Sequence, residues 1–126
     1  MPNKERHELQ ARHNQRVLAA LPDDVLDWRI TLMMYVALHG CRAYISSERP
    51  GYAGNDLKYD SLQRILQTDL DNPQVELATD FGRLVKHSYK TRYHCLSTEE
   101  LTKLVIDATK RYNAILEILR ALDVSV

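Results

Sequence analysis

The sequence predicts an all-α fold, an antiparallel up-and-down bundle of about five helices, and three observations carry this prediction. Glycine and proline number only four each in 126 residues, and they fall between segments of helical periodicity. No segment alternates apolar and polar residues as a half-buried strand does, and no Asn-Gly or Asp-Gly pair marks a hairpin turn. The helical segments are long and their joints are short, which favours antiparallel neighbours.

The length and charge of the chain indicate one soluble domain, residues 1–126, with a single core. The formal net charge is +0, so any contact with nucleic acid must come from a local patch. Two cysteines without framework spacing predict a reduced, cytoplasmic setting. The N-terminal residues lack the apolar segment of a secretory signal, and the longest apolar run, Ile30 to His39, is too short to span a bilayer. We therefore expect no membrane contact.

The first helix is predicted from Asn3 to Ala20, and Pro22 ends it because proline cannot donate a backbone hydrogen bond. Most of its residues are charged or polar, so we expect a narrow inner face. The residues assigned to that face are Leu9, His13, Val17, Ala20 and Leu21.

The second helix is predicted to follow directly, with Asp23 or Asp24 as its cap, since a carboxylate there accepts from free N–H groups and suits the helix dipole. It is expected to run to about Ser46. Between Trp28 and Tyr44 it is apolar nearly all round, which is typical of a central helix covered by neighbours on every side.

A loop rich in glycine, proline and small polar residues is predicted from Ser47 to Asn55. A shorter helix should follow, from about Asp56 to Thr68. Its inward residues are expected to be Leu57, Leu62, Ile65 and Leu66.

Two further helices complete the predicted bundle. Asn72 as N-cap and Pro73 at the first helical position begin the fourth, which should run to about Arg92. The run Ser97–Glu100 is a capping box, in which the serine and glutamate side chains each accept from the other's backbone N–H. The last helix should continue to about Leu122. Its apolar face comprises Leu101, Leu104, Val105, Ala108, Tyr112, Ile115, Leu116 and Leu119.

The fourth helix carries the candidate site. At 100° per residue, four basic side chains fall within about 60° of one another and Lys86 lies at their edge. The four are Arg83, His87, Lys90 and His94. Cleavage of RNA needs a base, an acid and a cation for the charged phosphorane. Histidine can supply the first two near neutral pH, and arginine supplies the third.

Three interpretations of this stripe are open: a solvated basic face, a face that binds RNA or phosphate, and a catalytic face. The catalytic candidates are Arg83, His87 and His94. The binding candidates are Arg83, Lys86, Lys90 and Arg92. On the helical wheel Arg92 points toward the apolar side, so it is expected to be a buried structural arginine, with a role in the site as the alternative.

The remaining histidine and cysteine positions do not indicate a metal site. His39 lies inside the apolar second helix and is expected to be a hydrogen-bonded core residue. No Cys-x2-Cys or His-x3-His spacing links it to Cys41, His87, His94 or Cys95. The sequence therefore predicts no metal and no cofactor.

Two segments together carry a family resemblance. They are DWRITLMMYVALHGCRAY, from Asp27 to Tyr44, and LVKHSYKTRYHC, which precedes the long last helix. The chain resembles HEPN domains (higher eukaryotes and prokaryotes nucleotide-binding) from about Val17 to Leu122. It is similar to small bacterial members with an Asp-Trp pair and an aromatic-Ala-Leu-His run. Their Ala-Arg-Tyr-like triplet corresponds to Thr91–Tyr93 here.

The resemblance implies an all-α homodimer whose site lies at the dimer interface. Many HEPN proteins are metal-independent endoribonucleases of toxin–antitoxin, CRISPR and anti-phage systems, and use an arginine and a histidine with four to six residues between them. In this chain three residues separate Arg83 from His87, and one separates Arg92 from His94. His87–Tyr89 matches the His-x-Tyr of toxin-type members, but Gly82 stands where their arginine is expected. Many relatives without the motif are non-catalytic binding or scaffolding modules.

The first hypothesis is therefore a HEPN-like protein of a bacterial defence or toxin–antitoxin module that binds RNA or nucleotide phosphate, with ribonuclease activity as a subordinate reading. A homodimer is expected, also because the second helix is very apolar for a chain of 126 residues. The resemblance implies a cognate antitoxin or nucleotidyltransferase as partner. The alternative is a non-catalytic helical module that binds or scaffolds other proteins.

Overall fold

The computed structural model describes residues 3–51 and 58–126, and within these ranges the chain is an all-α bundle without strands. This confirms the predicted fold class. The described residues form five α-helices: α1 (Asn3–Ala20), α2 (Leu26–Glu48), α3 (Tyr59–Arg64), α4 (Val75–Tyr93) and α5 (Thr98–Ala121). One π-helical turn, Ile65–Asp69, continues α3.

The central element is α2, which packs against α1, α4 and α5. Its side chains from Ile30 to Ser46 are buried or half-buried, while Trp28 near its start is more than half exposed. The neighbouring helices thus cover its apolar length within one chain, and this length does not by itself require a second copy. Close approach to α5 occurs at Gly40, where a Cβ would lie 2.4 Å from Cδ1 of Leu119.

Side-chain contacts show how the helices run. His7 of α1 lies 3.1 Å from His39 of α2, so these two helices form an antiparallel hairpin. Between α4 and α5, Asp80 contacts Arg111 and the later His87 contacts the earlier Asp107, which makes this pair antiparallel too. The site helix α4 is therefore held by α2 on one side and α5 on another.

The predicted inner face of α1 is wrong. Leu9 and Val17 are 45% and 38% exposed, and the buried residues are His7, Glu8, Ala11 and Leu18. This face packs against α2, and the C-terminal segment also contacts it: Glu8 accepts from the backbone N–H of Ser125, and Arg12 donates to the carbonyl of the same residue. A helical wheel cannot show such long-range partners.

Two predicted helix starts are also wrong. Val25 is the N-cap of α2 and no side chain caps it; Asp23 forms an ion pair with Arg29 instead of capping. Gln74 is the N-cap of α4, so Asn72 and Pro73 precede the helix. The backbone N–H of Gln74 donates to the carbonyl of Leu66 at 2.7 Å. This bond ties the segment to the π-helical turn and delays the start of α4.

The other boundaries were predicted more closely. α2 continues to Glu48, two residues past its expected end, and residues 52–57 of the predicted loop and third helix lie outside the described residues. The capping box of α5 is confirmed: Ser97 Oγ accepts from the Glu100 N–H at 3.1 Å, and the glutamate carboxylate accepts from the Ser97 N–H.

Across the parts of the chain that the structure describes, no helix combines the length and the apolar character needed to cross a bilayer.

Candidate functional site: the basic face of α4

The two faces of α4 differ sharply in exposure and charge. Leu77, Phe81 and Leu84 are fully buried against the bundle. Arg83, Lys86 and Lys90 are exposed. The structure thus places three of the predicted binding residues together on one open surface.

A shallow hollow of about 180 Å³ lies beside this surface, where α3 meets α4. Arg83 and Lys86 line it, together with Gln63, Thr79 and Gly82. A Cβ on Gly82 would lie 2.4 Å from Nε2 of Gln63, so the glycine lets this amide rest against α4. A larger side chain here would compete with Gln63 for the same space.

His87 faces α5 rather than the open surface. Its side chain is 13% exposed, and its Nε2 donates to Oδ2 of Asp107 at 2.7 Å. Arg111 lies within 3.6 Å of the same carboxylate and donates to Asp80 at 2.9 Å. These four side chains form one polar chain between α4 and α5. The His87 hydrogen bond lowers the pKa of Asp107, and the Arg111 charge acts in the same direction.

This arrangement limits what His87 can do chemically. Its Nε2 is engaged by Asp107, and its Nδ1 is buried without a hydrogen-bond partner among the described residues. No hydrogen bond or ring contact within the described residues joins His87 to Arg83 or His94. Neither nitrogen of His87 is therefore open to a ligand.

His94 lies at the end of α4. It is the C-cap residue, and its backbone N–H donates to the carbonyl of Lys90. Cys95 follows in the left-handed region with a φ of 48°, an uncommon conformation for a residue with a Cβ. The His94 ring is exposed and meets Tyr89 edge-on, with 5.7 Å between ring centroids.

The expected burial of Arg92 is wrong, because its side chain is exposed. Arg92 lies in the last turn of α4. Its Nε donates to the carbonyl of Ser88 at 3.3 Å, and its guanidinium carbon lies 5.5 Å from the centroid of the Tyr93 ring.

Sequence reasoning missed two tyrosines on the same face. Tyr89 and Tyr93 are 53% and 63% exposed, and their ring centroids lie 4.8 Å apart. Their spacing of four residues, beside Lys86 and Lys90, could have drawn attention to them, since such pairs are neighbours on a helix surface.

His39 is half-buried and has a partner, as expected of a core histidine. Its Nδ1 lies 3.1 Å from Nδ1 of His7, and the two rings stack with centroids 5.3 Å apart. Burial lowers the pKa of His39 to about 4, and the neighbouring His7 and Arg42 act in the same direction.

The histidines and cysteines of the described residues lie in different places. Cys41 is buried, where desolvation raises the pKa of its thiol, and Cys95 is exposed. Within the described ranges, no group of three histidine, cysteine or acidic side chains is arranged to hold a metal ion.

No protein-family model, curated protein or solved structure matches the chain. The HEPN resemblance accordingly depends on the sequence motifs alone.

Proposed function

We propose that this protein binds RNA or nucleotide phosphate through the exposed basic face of α4. The observation that carries the proposal is the distribution of charge. From Arg83 to Tyr93 the helix has four permanently charged bases and no acid, although the whole chain has a formal net charge of +0. All four of these bases are exposed: Arg83, Lys86 and Lys90 form the basic face, and Arg92 adds a charge in the last turn of the helix, outside that face. A local patch of this kind attracts phosphates without help from the overall field.

The hollow between α3 and α4 supports the same proposal. Arg83 offers a planar fork of donors that matches phosphate oxygens, and Lys86 adds a compact charge. Gln63 supplies a neutral amide donor on the same wall. Contacts of this kind fix the position of a phosphate backbone without reading its sequence.

The geometry supports binding better than cleavage. A histidine that acts as catalytic base needs a ring nitrogen within reach of the 2′-hydroxyl. In His87 the Nε2 atom is bonded to Asp107 and the Nδ1 atom is buried, so neither is accessible to RNA. Among the histidines of the described residues, His94 is the one with an exposed imidazole beside the basic face. Metal-independent ribonuclease activity is therefore the subordinate part of the proposal.

The wider assignment also remains a proposal. We infer from the motifs a HEPN-like member of a bacterial defence or toxin–antitoxin module, located in the cytoplasm, with an antitoxin or nucleotidyltransferase as partner. A homodimer belongs to this proposal, and light scattering of the purified protein measures it directly.

The proposed binding is tested by fluorescence anisotropy of a labelled RNA at increasing salt, with EDTA present and RNA integrity checked on a gel. The affinity should fall with salt, with a logarithmic slope of about −0.7 for each phosphate neutralised on a single strand. The variant Arg83→Gln/Lys86→Gln/Lys90→Gln should bind much more weakly and with a shallower slope.

A matched control removes three exposed charges elsewhere: Arg16→Gln/Lys103→Gln/Lys110→Gln. It should keep most of the affinity. Absence of RNA binding at low salt would refute the proposal. Equal losses in the two triple variants would show that only net charge matters and would also refute it.

The second candidate function, a non-catalytic protein-interaction module, is favoured by the outward face of α1. Leu9 and Val17 lie there half-exposed, beside His13 and Ala20, which are also exposed. Leu9→Glu/Val17→Glu should abolish capture of a partner protein if this face binds one, and should leave RNA affinity unchanged.

A further inference from the structure

The end of α4 presents an aromatic surface that the phosphate-binding proposal does not use. Tyr89 and Tyr93 are each more than half exposed, and their rings lie 4.8 Å apart at an interplanar angle of 43°. The exposed His94 ring meets Tyr89 edge-on. We call these three side chains the ring platform. Each ring is in contact with another, so the platform is already formed in the free protein.

The surroundings of the ring platform are cationic. Lys86 and Lys90 share the exposed face with the two tyrosines, one helical turn apart. The Arg92 guanidinium lies over the Tyr93 ring, at 5.5 Å from its centroid, which is the geometry of a cation–π contact. A partner suited to this surface therefore has flat rings and negative charge within a few ångströms of each other.

The geometry points to a nucleobase-stacking site formed by Tyr89, Tyr93 and His94, whose ligand is an unpaired nucleotide segment of RNA. This inference deepens the proposed function and rests on it. Bases with free faces stack on aromatic side chains, while nearby lysines and arginines bind the backbone. In a duplex the neighbouring base pairs cover those faces, so the ring platform favours single strands over paired RNA. An aliphatic protein surface would match the rings but not the charges around them.

The test compares two pairs of variants by anisotropy, with a labelled single-stranded oligouridylate and a labelled RNA duplex of the same length as probes. Tyr89→Leu/Tyr93→Leu keeps apolar bulk and helix propensity but removes the aromatic rings. Tyr89→Phe/Tyr93→Phe keeps the rings and removes only the hydroxyls. The leucine variant should bind the single strand roughly 10-fold more weakly or worse, as expected for lost base stacking. The phenylalanine variant should bind it as the wild type does.

Duplex binding should be weaker than single-strand binding in the wild type and should not change in the leucine variant. Circular dichroism of both variants confirms that they remain folded. The inference is overturned if the leucine variant binds the single strand like the wild type. It is also overturned if the leucine substitutions reduce the affinity for the single strand and for the duplex by the same factor.

The two proposals fail in different ways. Suppose that wild-type binding is salt-dependent and that Arg83→Gln/Lys86→Gln/Lys90→Gln weakens it. If Tyr89→Leu/Tyr93→Leu then leaves the affinity unchanged, only the ring platform is refuted. If the wild type binds neither probe at low salt, the proposed function itself fails, and a protein partner becomes the explanation for the rings.

Discussion

The Nε2 atom of His87 lies 2.7 Å from Oδ2 of Asp107, and this contact joins α4 to α5. A histidine that the helical wheel assigns to a line of cations is thus an interhelical hydrogen-bond donor. Its carboxylate partner also lies near Arg111, which in turn bonds Asp80 of α4. The basic face of α4 consequently consists of Arg83, Lys86 and Lys90 and does not include His87.

Removal of His87 should lower stability rather than RNA affinity. We expect His87→Ala to reduce the free energy of unfolding by roughly 1–3 kcal/mol, because a largely buried hydrogen bond to a carboxylate is lost. Urea denaturation followed by circular dichroism measures the change. His94→Ala is the matched control, and since that ring is exposed its effect should stay within about 0.5 kcal/mol.

A double-mutant cycle separates the contact from lost packing. His87→Ala and Asp107→Ala should be non-additive, with a coupling of roughly 0.5–3 kcal/mol. Additive losses would mean that the two residues contribute independently, against the geometry.

Acid should destabilise the protein through His39. In the folded chain burial lowers the pKa of His39 to about 4, whereas an unfolded histidine titrates near 6.5. The unfolded state therefore binds more protons between these values, and the free energy of unfolding should fall as pH falls from 6.5 to 4. His39→Gln should flatten this part of the profile in urea denaturation across pH.

The exposed His13 of α1 provides the control for this profile, since His13→Gln removes a histidine from the surface. It should leave the slope between pH 6.5 and 4 as in the wild type. An unchanged slope in His39→Gln would count against the buried pair. At lower pH a second loss should begin as Asp107, whose pKa the His87 bond lowers, takes up a proton.

Alanine substitutions at Gly40 and Gly82 should change the free energy of unfolding in opposite directions. A Cβ on Gly40 would lie 2.4 Å from Leu119, which is fully buried and cannot move into solvent. Gly40→Ala should cost about 1–3 kcal/mol from overpacking, and this exceeds the gain in helix propensity of up to about 1 kcal/mol. Gly82→Ala meets only the flexible end of Gln63 and should be neutral or stabilising.

Thermal and urea unfolding measure both glycine variants, and a second background tests the cause. In Leu119→Ala, the space beside Gly40 is open, so Gly40→Ala should cease to be destabilising there. If it remains equally harmful, the close approach of α2 and α5 is not the reason.

Replacement of Cys95 by glycine should stabilise the protein. Its φ of 48° places a Cβ in the left-handed region, which costs about 1–2 kcal/mol, and part of this is offset by the greater freedom of glycine in the unfolded chain. Cys95→Gly should therefore raise the free energy of unfolding by up to about 1 kcal/mol in urea denaturation. Cys95→Ala keeps the Cβ and should bring no such gain; a similar rise in both variants would contradict the backbone explanation.

Features that depend on residues close together in the chain were predicted correctly from the sequence. The capping box at Ser97 and Glu100 needs only four consecutive residues, and it is present. The all-round apolar character of α2 correctly identified it as the central helix. The exposure of Lys86 and Lys90 also followed from the helical wheel, since the opposite face is continuous and apolar.

What the sequence by itself determined is the set of helices, the central position of α2 and the concentration of positive charge on one side of α4, because periodicity and capping are local properties of the chain. The tertiary structure alone decided that His87 donates to Asp107 and that the C-terminal segment contacts Glu8 and Arg12 of α1. These contacts join residues 20 to 117 positions apart in the chain, whose distances in space are set by packing and not by local pattern.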